Sequence, residues 1–202
     1  MEDLKQYKEA WQKQDYSESQ IDSHAISKMI HKRSSSLVKW IFYISIIEIL
    51  VLTLINIFIK TDWNELKDIG LYNFFIGISI LSYIIPIIFI YLFYKNYKSI
   101  SVTDSTKGLI KSILKTRQTV KYYIFTILAL VAFALLYGFS IAIKTPEYVD
   151  IIEGFGKNGQ LIVWSIVVIF TLISLGFFLL VYLVLYGILL KRLNENYKEL
   201  LA

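Results

Sequence analysis

The chain has no cysteine, only two histidines and two prolines, and few charges: Asp, Glu, Lys and Arg make up 18% of its 202 residues. Without cysteine there is no disulfide-stapled fold and no thiolate metal ligand. So small a charged fraction falls below the roughly 25% of a soluble domain. It also excludes a disordered chain, which is charged and poor in apolar side chains. His24 and His31 are seven residues apart. On one helix that is about 10.5 Å, too far to share a metal whose Zn–N bonds are about 2.0–2.1 Å. No nucleophile–base pair can be assembled either, because the apolar segments that carry Ser and Thr carry no His. The residues therefore supply no catalytic group, cofactor site or metal site, and an enzyme is the least favoured class.

Apolar residues are abundant, at 56% of the chain with a mean hydropathy of +0.56. They are concentrated in four runs, residues 40–59, 71–94, 122–143 and 161–190. Each passes the ~18-residue length expected of a membrane-spanning helix. The runs are continuously apolar, whereas barrel strands alternate and soluble helices keep a polar face. The last run is long enough to need tilt or to project from the bilayer. The expected fold is all-α: an integral membrane four-helix bundle with cytoplasmic amphipathic helical extensions.

Orientation follows from the basic residues. Segments 1–39, 95–121 and 191–202 hold 17 of the 21 Lys and Arg, and the two remaining loops hold four. Both termini and the central loop are expected in the cytoplasm, with the lipid bilayer as the first partner. The net charge of +5 is then a property of topology and gives no reason to invoke a nucleic acid. Trp40, Tyr43, Tyr91, Tyr94, Tyr97, Tyr122, Tyr123, Tyr182 and Tyr186 fall near the expected inner span edges, and Trp63, Tyr72, Tyr137, Tyr148 and Trp164 near the outer ones, where amphipathic rings favour the headgroup level.

The organisation is therefore 1–39, a cytoplasmic helical segment; 40–94, spans one and two; 95–121, a cytoplasmic amphipathic helix; 122–190, spans three and four; and 191–202, a cytoplasmic tail. Leu109, Ile110, Ile113, Leu114 and Val120 form a helical stripe, with Lys107, Lys111, Lys115 and Lys121 mostly opposite. Thr103, Asp104 and Ser105 are its candidate N-caps. No proline separates this helix from span three, so 105–143 reads as one rod of about 58 Å. Near the N-terminus Leu4, Tyr7 and Trp11, then Ile26, Met29, Ile30 and Leu37, repeat the helical spacing. Ser19 with Asp22 resembles a capping box, and the interval Tyr16 to Ser19 suggests a break between two short helices. Leu190, Leu193, Tyr197 and Leu200 continue a stripe beyond span four. These stripes either pack on one another, lie on the membrane surface, or keep a face for a protein partner.

Glu48 is the one acidic residue inside a span, about 12 Å beyond Trp40. An intramembrane ionisable group is costly and a functional candidate. Ser45 and Asn56 share its face, so a candidate intramembrane polar site comprises Glu48, Ser45 and Asn56. It serves either a proton or cation step or a hydrogen bond to Asn73, a tyrosine or a backbone carbonyl. Pro86 cannot donate to the carbonyl of Ser82, which predicts a kink in span two. Ala134, Gly138 and Ala142 form a small-residue stripe for helix packing, facing another span or a second copy in a homo-oligomer. Gly154, Gly156 and Gly159 read as a flexible outer turn, because a dinucleotide fingerprint needs a βαβ context.

The segment MIHKRSSSLVKWIFYISIIE, from Met29 to Glu48, and the segment SISVTDSTKGLIKSILKTRQTVKYY, from Ser99 to Tyr123, resemble an uncharacterised family of small bacterial four-span membrane proteins. The N-terminal LKQYKEAWQKQ is also of that type. Such proteins often carry the label β-carotene 15,15′-monooxygenase, and some are encoded beside an extracytoplasmic-function sigma factor. The resemblance implies a bacterial inner-membrane location. The labelled enzymes hold iron through four histidines and this chain has two, so the label does not fit the residues. The sigma-factor association implies a membrane-anchored regulator whose segment 1–39 contacts a cytoplasmic protein. A non-enzymatic regulatory or structural protein is thus the leading expectation. An oligomeric pore or proton- or cation-coupled transporter using Glu48 comes second, and a membrane oxygenase third.

Overall fold

The structure, a computed structural model, describes residues 2–59, 61–102 and 105–200, with side chains from Lys28 onward except those of Ser101, Val102 and Glu147. Among the described residues there is no strand, and four helices are long and apolar enough to cross a membrane. The protein is an all-α membrane protein.

Helix α1 (Glu2–Phe58) is 57 residues long. The expected break at Tyr16 to Ser19 does not occur. Residues 2–58 contain neither proline nor glycine, and Tyr, Ser and Asp each cost a helix no more than about 0.7 kcal/mol. The side chains of Leu4, Tyr7, Trp11, Ile26 and His24, and the Ser19–Asp22 cap, lie outside those described. A short α2 (Trp63–Asp68) follows, with Asp62 as N-cap accepting from the backbone N–H of Asn64 and Glu65. Helix α3 (Tyr72–Val102) runs through the buried Pro86. The Ser82 hydroxyl there donates to the Ser79 carbonyl at 2.7 Å.

The rod expected across the central loop and span three is present as α4 (Thr106–Ala142), 37 residues long. Ser105 caps it, accepting from the Gly108 N–H at 3.1 Å; Thr103 and Asp104 lie outside the described residues. A second short helix, α5 (Pro146–Gly154), begins with proline in its first turn. A 3₁₀ turn at Gly156–Asn158 then leads into α6 (Gly159–Tyr182). Span four continues without interruption through a π-helical turn, Leu183–Gly187, into α7 (Ile188–Glu199).

The long helices form a closed ring: α1 packs on α3, α3 on α4, α4 on α6, and α7 returns to α1. The core sits toward the basic end, the end with both termini. Val38, Ile41, Phe93, Ile100, Leu109, Ile113, Val120 and Leu193 are all within 1% of full burial there. The stripes of α4 and α7 thus pack on each other and on α1 and α3, except for Leu114, which is exposed. Met29, expected in the α1 stripe, instead faces outward, whereas Ile30 and Leu37 are buried. The spans expose apolar side chains outward, including Ile88, Phe125, Phe177 and Leu180. Such a surface suits hydrocarbon, where apolar exposure carries no penalty.

Buried polar pairs fix the register of this core. Asn96 donates to Thr119 at 3.0 Å, joining α3 to α4. Ser99 and Ser112 share a second bond of 3.0 Å between the same helices. Asn196 donates to Ser34 at 3.0 Å, joining α7 to α1. Neutral hydrogen bonds of this kind are worth about 0.5–1.5 kcal/mol each net. Their value here is directional, since each is satisfied in only one helix register.

In the opposite half of the bundle, Gly138 of the small-residue stripe faces α3. A Cβ there would meet the Phe74 ring edge at 3.4 Å, an ordinary contact. Phe74 is held against Tyr137, with ring centroids 4.8 Å apart, and against Phe133. Gly138→Ala should therefore be tolerated. Gly138→Leu should drive Phe74 out and lower stability in detergent by about 1–3 kcal/mol, the usual range for overpacking. Thermal unfolding of the two variants measures the difference, and equal melting temperatures would mean that Phe74 is free to move aside.

Candidate functional site

The sequence placed Glu48, Ser45 and Asn56 on one face of span one. Of these, the structure joins Glu48 to another helix. Ser45 is buried, but its hydroxyl donates to the Phe42 carbonyl of its own helix at 2.7 Å. Asn56 is exposed and donates to the Leu52 carbonyl at 2.9 Å. Both side chains satisfy themselves locally, as short polar groups do in apolar helices. Asn73, a candidate partner for Glu48, is exposed.

The partners of Glu48 come from span four. The Tyr182 hydroxyl donates to one carboxyl oxygen at 2.5 Å, and the Tyr186 hydroxyl donates to the other at 3.2 Å. Tyr182 closes α6 and Tyr186 lies in the π-helical turn. Their rings stack, with centroids 6.1 Å apart and planes 22° from parallel. Two hydroxyls on one helix thus meet the two oxygens of one carboxyl. π-Helical turns are uncommon and often mark functional positions.

Tyr123 of α4 completes the cluster. Its ring stands edge-on to Tyr182 at 5.9 Å and to Tyr186 at 6.1 Å. Phe89 and Phe93 of α3 close over it at 5.1 and 5.8 Å. Tyr123 is fully buried, and its hydroxyl lies beside the Glu48 carboxyl without a well-formed hydrogen bond among the described residues. The cluster therefore draws on all four long helices: a carboxyl from α1, aromatic walls from α3 and α4, and the two donors from span four. Offset and edge-to-face ring pairs add roughly 0.5–1.5 kcal/mol each beyond their area, so the ring contacts also help tie α3, α4 and span four together.

Chemically, the arrangement stabilises a carboxyl inside the membrane by hydrogen bonding, with a third hydroxyl at the margin. Sequence reading had marked Tyr182 and Tyr186 as span-edge aromatics and had allowed an unspecified tyrosine as a partner for Glu48. The four-residue spacing of the two tyrosines was the available signal, because it puts two hydroxyls on one helical face. Tyr123 gave no such signal beyond its position at the start of span three. Among the described residues, no group of three or more His, Asp or Glu side chains is placed to hold a metal ion.

The buried face of the basic end, the four spans and the Glu48 cluster all lie within residues 24–202, the part of the chain matched by a single family model. No curated protein and no solved structure is significantly similar to the chain. The chain belongs to the family described as a domain of unknown function (DUF8845).

Proposed function

We propose that the chain is a multi-pass protein of the bacterial inner membrane, with both termini in the cytoplasm, that holds a cytoplasmic protein through residues 1–39 and does no chemistry of its own. The observation that carries this reading is the continuity of α1. Ile30 is the first buried side chain among those described, and the same helix extends back to Glu2. Its first part, residues 2–27, measures about 39 Å at 1.5 Å per residue. It is continuous with the span that carries Glu48, so a load on one end is transmitted along a single helix. Charge favours a protein partner over lipid. Residues 1–27 hold six acidic and three basic side chains, whereas residues 28–39 hold four basic and no acidic ones. Anionic headgroups attract the second group and repel the first. The partner's matching face is accordingly basic.

The test compares the full-length protein with a chain begun at residue 24, where the family match starts. Both are purified from native membranes in mild detergent. A protein present in stoichiometric amount with the first and missing from the second is the expected result. Equal recovery with both would sink the proposal. Orientation is tested by reporter fusions, with cytoplasmic signals expected after Ala202 and near Ser105 and an external signal near Asn158. A cytoplasmic signal at Asn158 would contradict the proposed topology.

A second reading rests on Glu48. A carboxyl held by two hydroxyls inside the membrane, with the Tyr123 hydroxyl beside them, has the parts of a proton or cation step. Substitutions that separate this reading from a structural one are argued in the Discussion.

A further inference from the structure

At the basic end, where α1 and α7 run antiparallel, a cleft of about 660 Å³ opens between them. Its floor is fixed by the buried Asn196–Ser34 hydrogen bond. Its lining is layered along the helix axes. Trp40, Leu37 and Leu189 form the edge nearest the spans, and Trp40 is 56% exposed there. One turn below Leu189 comes Arg192, and two turns below Trp40 comes Arg33. On α7, Glu195 and Glu199 lie farther from the spans, about 9 and 15 Å beyond Leu189; Arg33 faces their level from α1, because its neighbour Ser34 meets Asn196. Among the described residues none of these four charged groups is engaged in an ion pair. The cations and carboxylates line one cleft and are left for something else to bridge.

We propose that this cleft seats the headgroup of an aminophospholipid, with the phosphate at Arg33 and Arg192 and the ammonium group at Glu195 and Glu199. Three features select that ligand class. The cleft opens at the level where the apolar span begins, so acyl chains can leave along Trp40 and Leu189 into the bilayer. Descending α7 the order is apolar, cationic, anionic, and a phospholipid descending from the bilayer presents acyl chain, phosphate and amine. Two carboxylates beside two guanidinium groups cancel the attraction for a simple anion, so a lipid with negative charge alone gains little. Guanidinium groups are suited to phosphate because they offer several charge-assisted donors.

The experiment uses the full-length protein, stripped of lipid in detergent and titrated with dioctanoyl phosphatidylethanolamine or dioctanoyl phosphatidylglycerol, with bound lipid counted by native mass spectrometry. Preference for the ethanolamine lipid by about tenfold is expected, the size of one good charged contact. The Arg33→Gln/Arg192→Gln pair should weaken both lipids by about tenfold or more. The Glu195→Gln/Glu199→Gln pair should abolish the preference and raise retention of the glycerol lipid. All four side chains are exposed, so both double variants should keep the parent melting temperature. Inorganic phosphate at equal concentration should leave the bound lipid in place. Equal retention of the two lipids by the parent protein, or displacement by free phosphate, would overturn the proposal. So would a glutamate pair of variants with an unchanged preference.

Discussion

Gly159→Ala is expected to be the most destabilising single-methyl change in the described part of the protein. A Cβ at Gly159 would lie 1.9 Å from the carbonyl oxygen of Ile152 and 2.9 Å from its carbon. No rotamer relieves that contact, because the obstacle is backbone. Gly159 itself is helical, with φ −55° and ψ −44°, so any residue could adopt its conformation. Glycine is required here by space. To admit the methyl group, α5 must swing away from the start of α6. The cost should reach or exceed the upper end of the usual 1–3 kcal/mol for overpacking. Thermal unfolding in detergent should show a fall of roughly 6–12 °C or more, taking 2–4 °C per kcal/mol for a chain of this size. Gly154→Ala is the control, since nothing lies within 4 Å of its would-be Cβ. An unchanged melting temperature for Gly159→Ala would mean that α5 is not docked on α6. The flexible outer turn expected from three glycines is thus an ordered helix–3₁₀–helix corner. Gly156 supplies its positive φ of 73° and Gly159 its close approach.

The second large effect is expected at Glu48, where the structural and transport readings part. Glu48→Leu removes the acceptor of both the Tyr182 and Tyr186 hydroxyls. Leaving a buried hydroxyl unpaired costs about 1–3 kcal/mol, so the Leu variant should unfold at clearly lower temperature. Glu48→Gln keeps one acceptor oxygen and offers an amide N–H₂ to the other tyrosine oxygen. Its loss of stability should be clearly smaller than that of the Leu variant, because neither tyrosine is left without a polar partner. On the structural reading, Gln also leaves phenotype unchanged. On the transport reading, proton or cation flux in liposomes is lost in Gln as completely as in Leu, while the fold is kept. Loss of flux with an intact melting temperature in Glu48→Gln would make ion coupling the leading function.

What could be read from the chain alone depended on how local each signal was. The four spans and the rod through α4 rest on long unbroken runs whose apolar character no neighbour can reverse. Their existence followed directly from composition by segment. The break near Tyr16 was misread because weak helix formers were taken as a stop, although no proline or glycine stands between Glu2 and Phe58. The short helices α2 and α5 did carry signals: Asp62 with Glu65 three residues on, and Pro146 following Thr145. Both were overshadowed by the hydropathy pattern around them. The Glu48 cluster was legible only as a lone carboxyl in need of a partner. Its hydroxyl donors are 134 and 138 residues away in the chain. No periodicity within one span reports a pairing across that distance. Ser45 and Asn56 shared the helical face of Glu48, but each had a nearer acceptor in its own backbone.

The π-helical turn at Leu183–Gly187 makes residue count, as well as residue type, part of the specification of span four. An α-helix advances about 100° per residue, and a single π-turn accommodates one extra residue within the same helix. Above the turn, α6 packs chiefly on α4; below it, α7 packs chiefly on α1. The inserted residue is what re-aims one continuous rod from the first neighbour to the second. Leu183, Val184 and Leu185 face outward and tolerate exchange, whereas Tyr186 in the same turn is buried on Glu48. Loss of a residue inside the turn is absorbed by its relaxing to α-helix. Loss of one from Ile188 to Arg192, below it, would turn the rest of the C-terminal helix by about 100° and carry Leu193 and Asn196 off α1, undoing the Ser34 bond and the cleft built on it. Spacing here is a structural element in its own right, invisible to any comparison that scores positions one at a time.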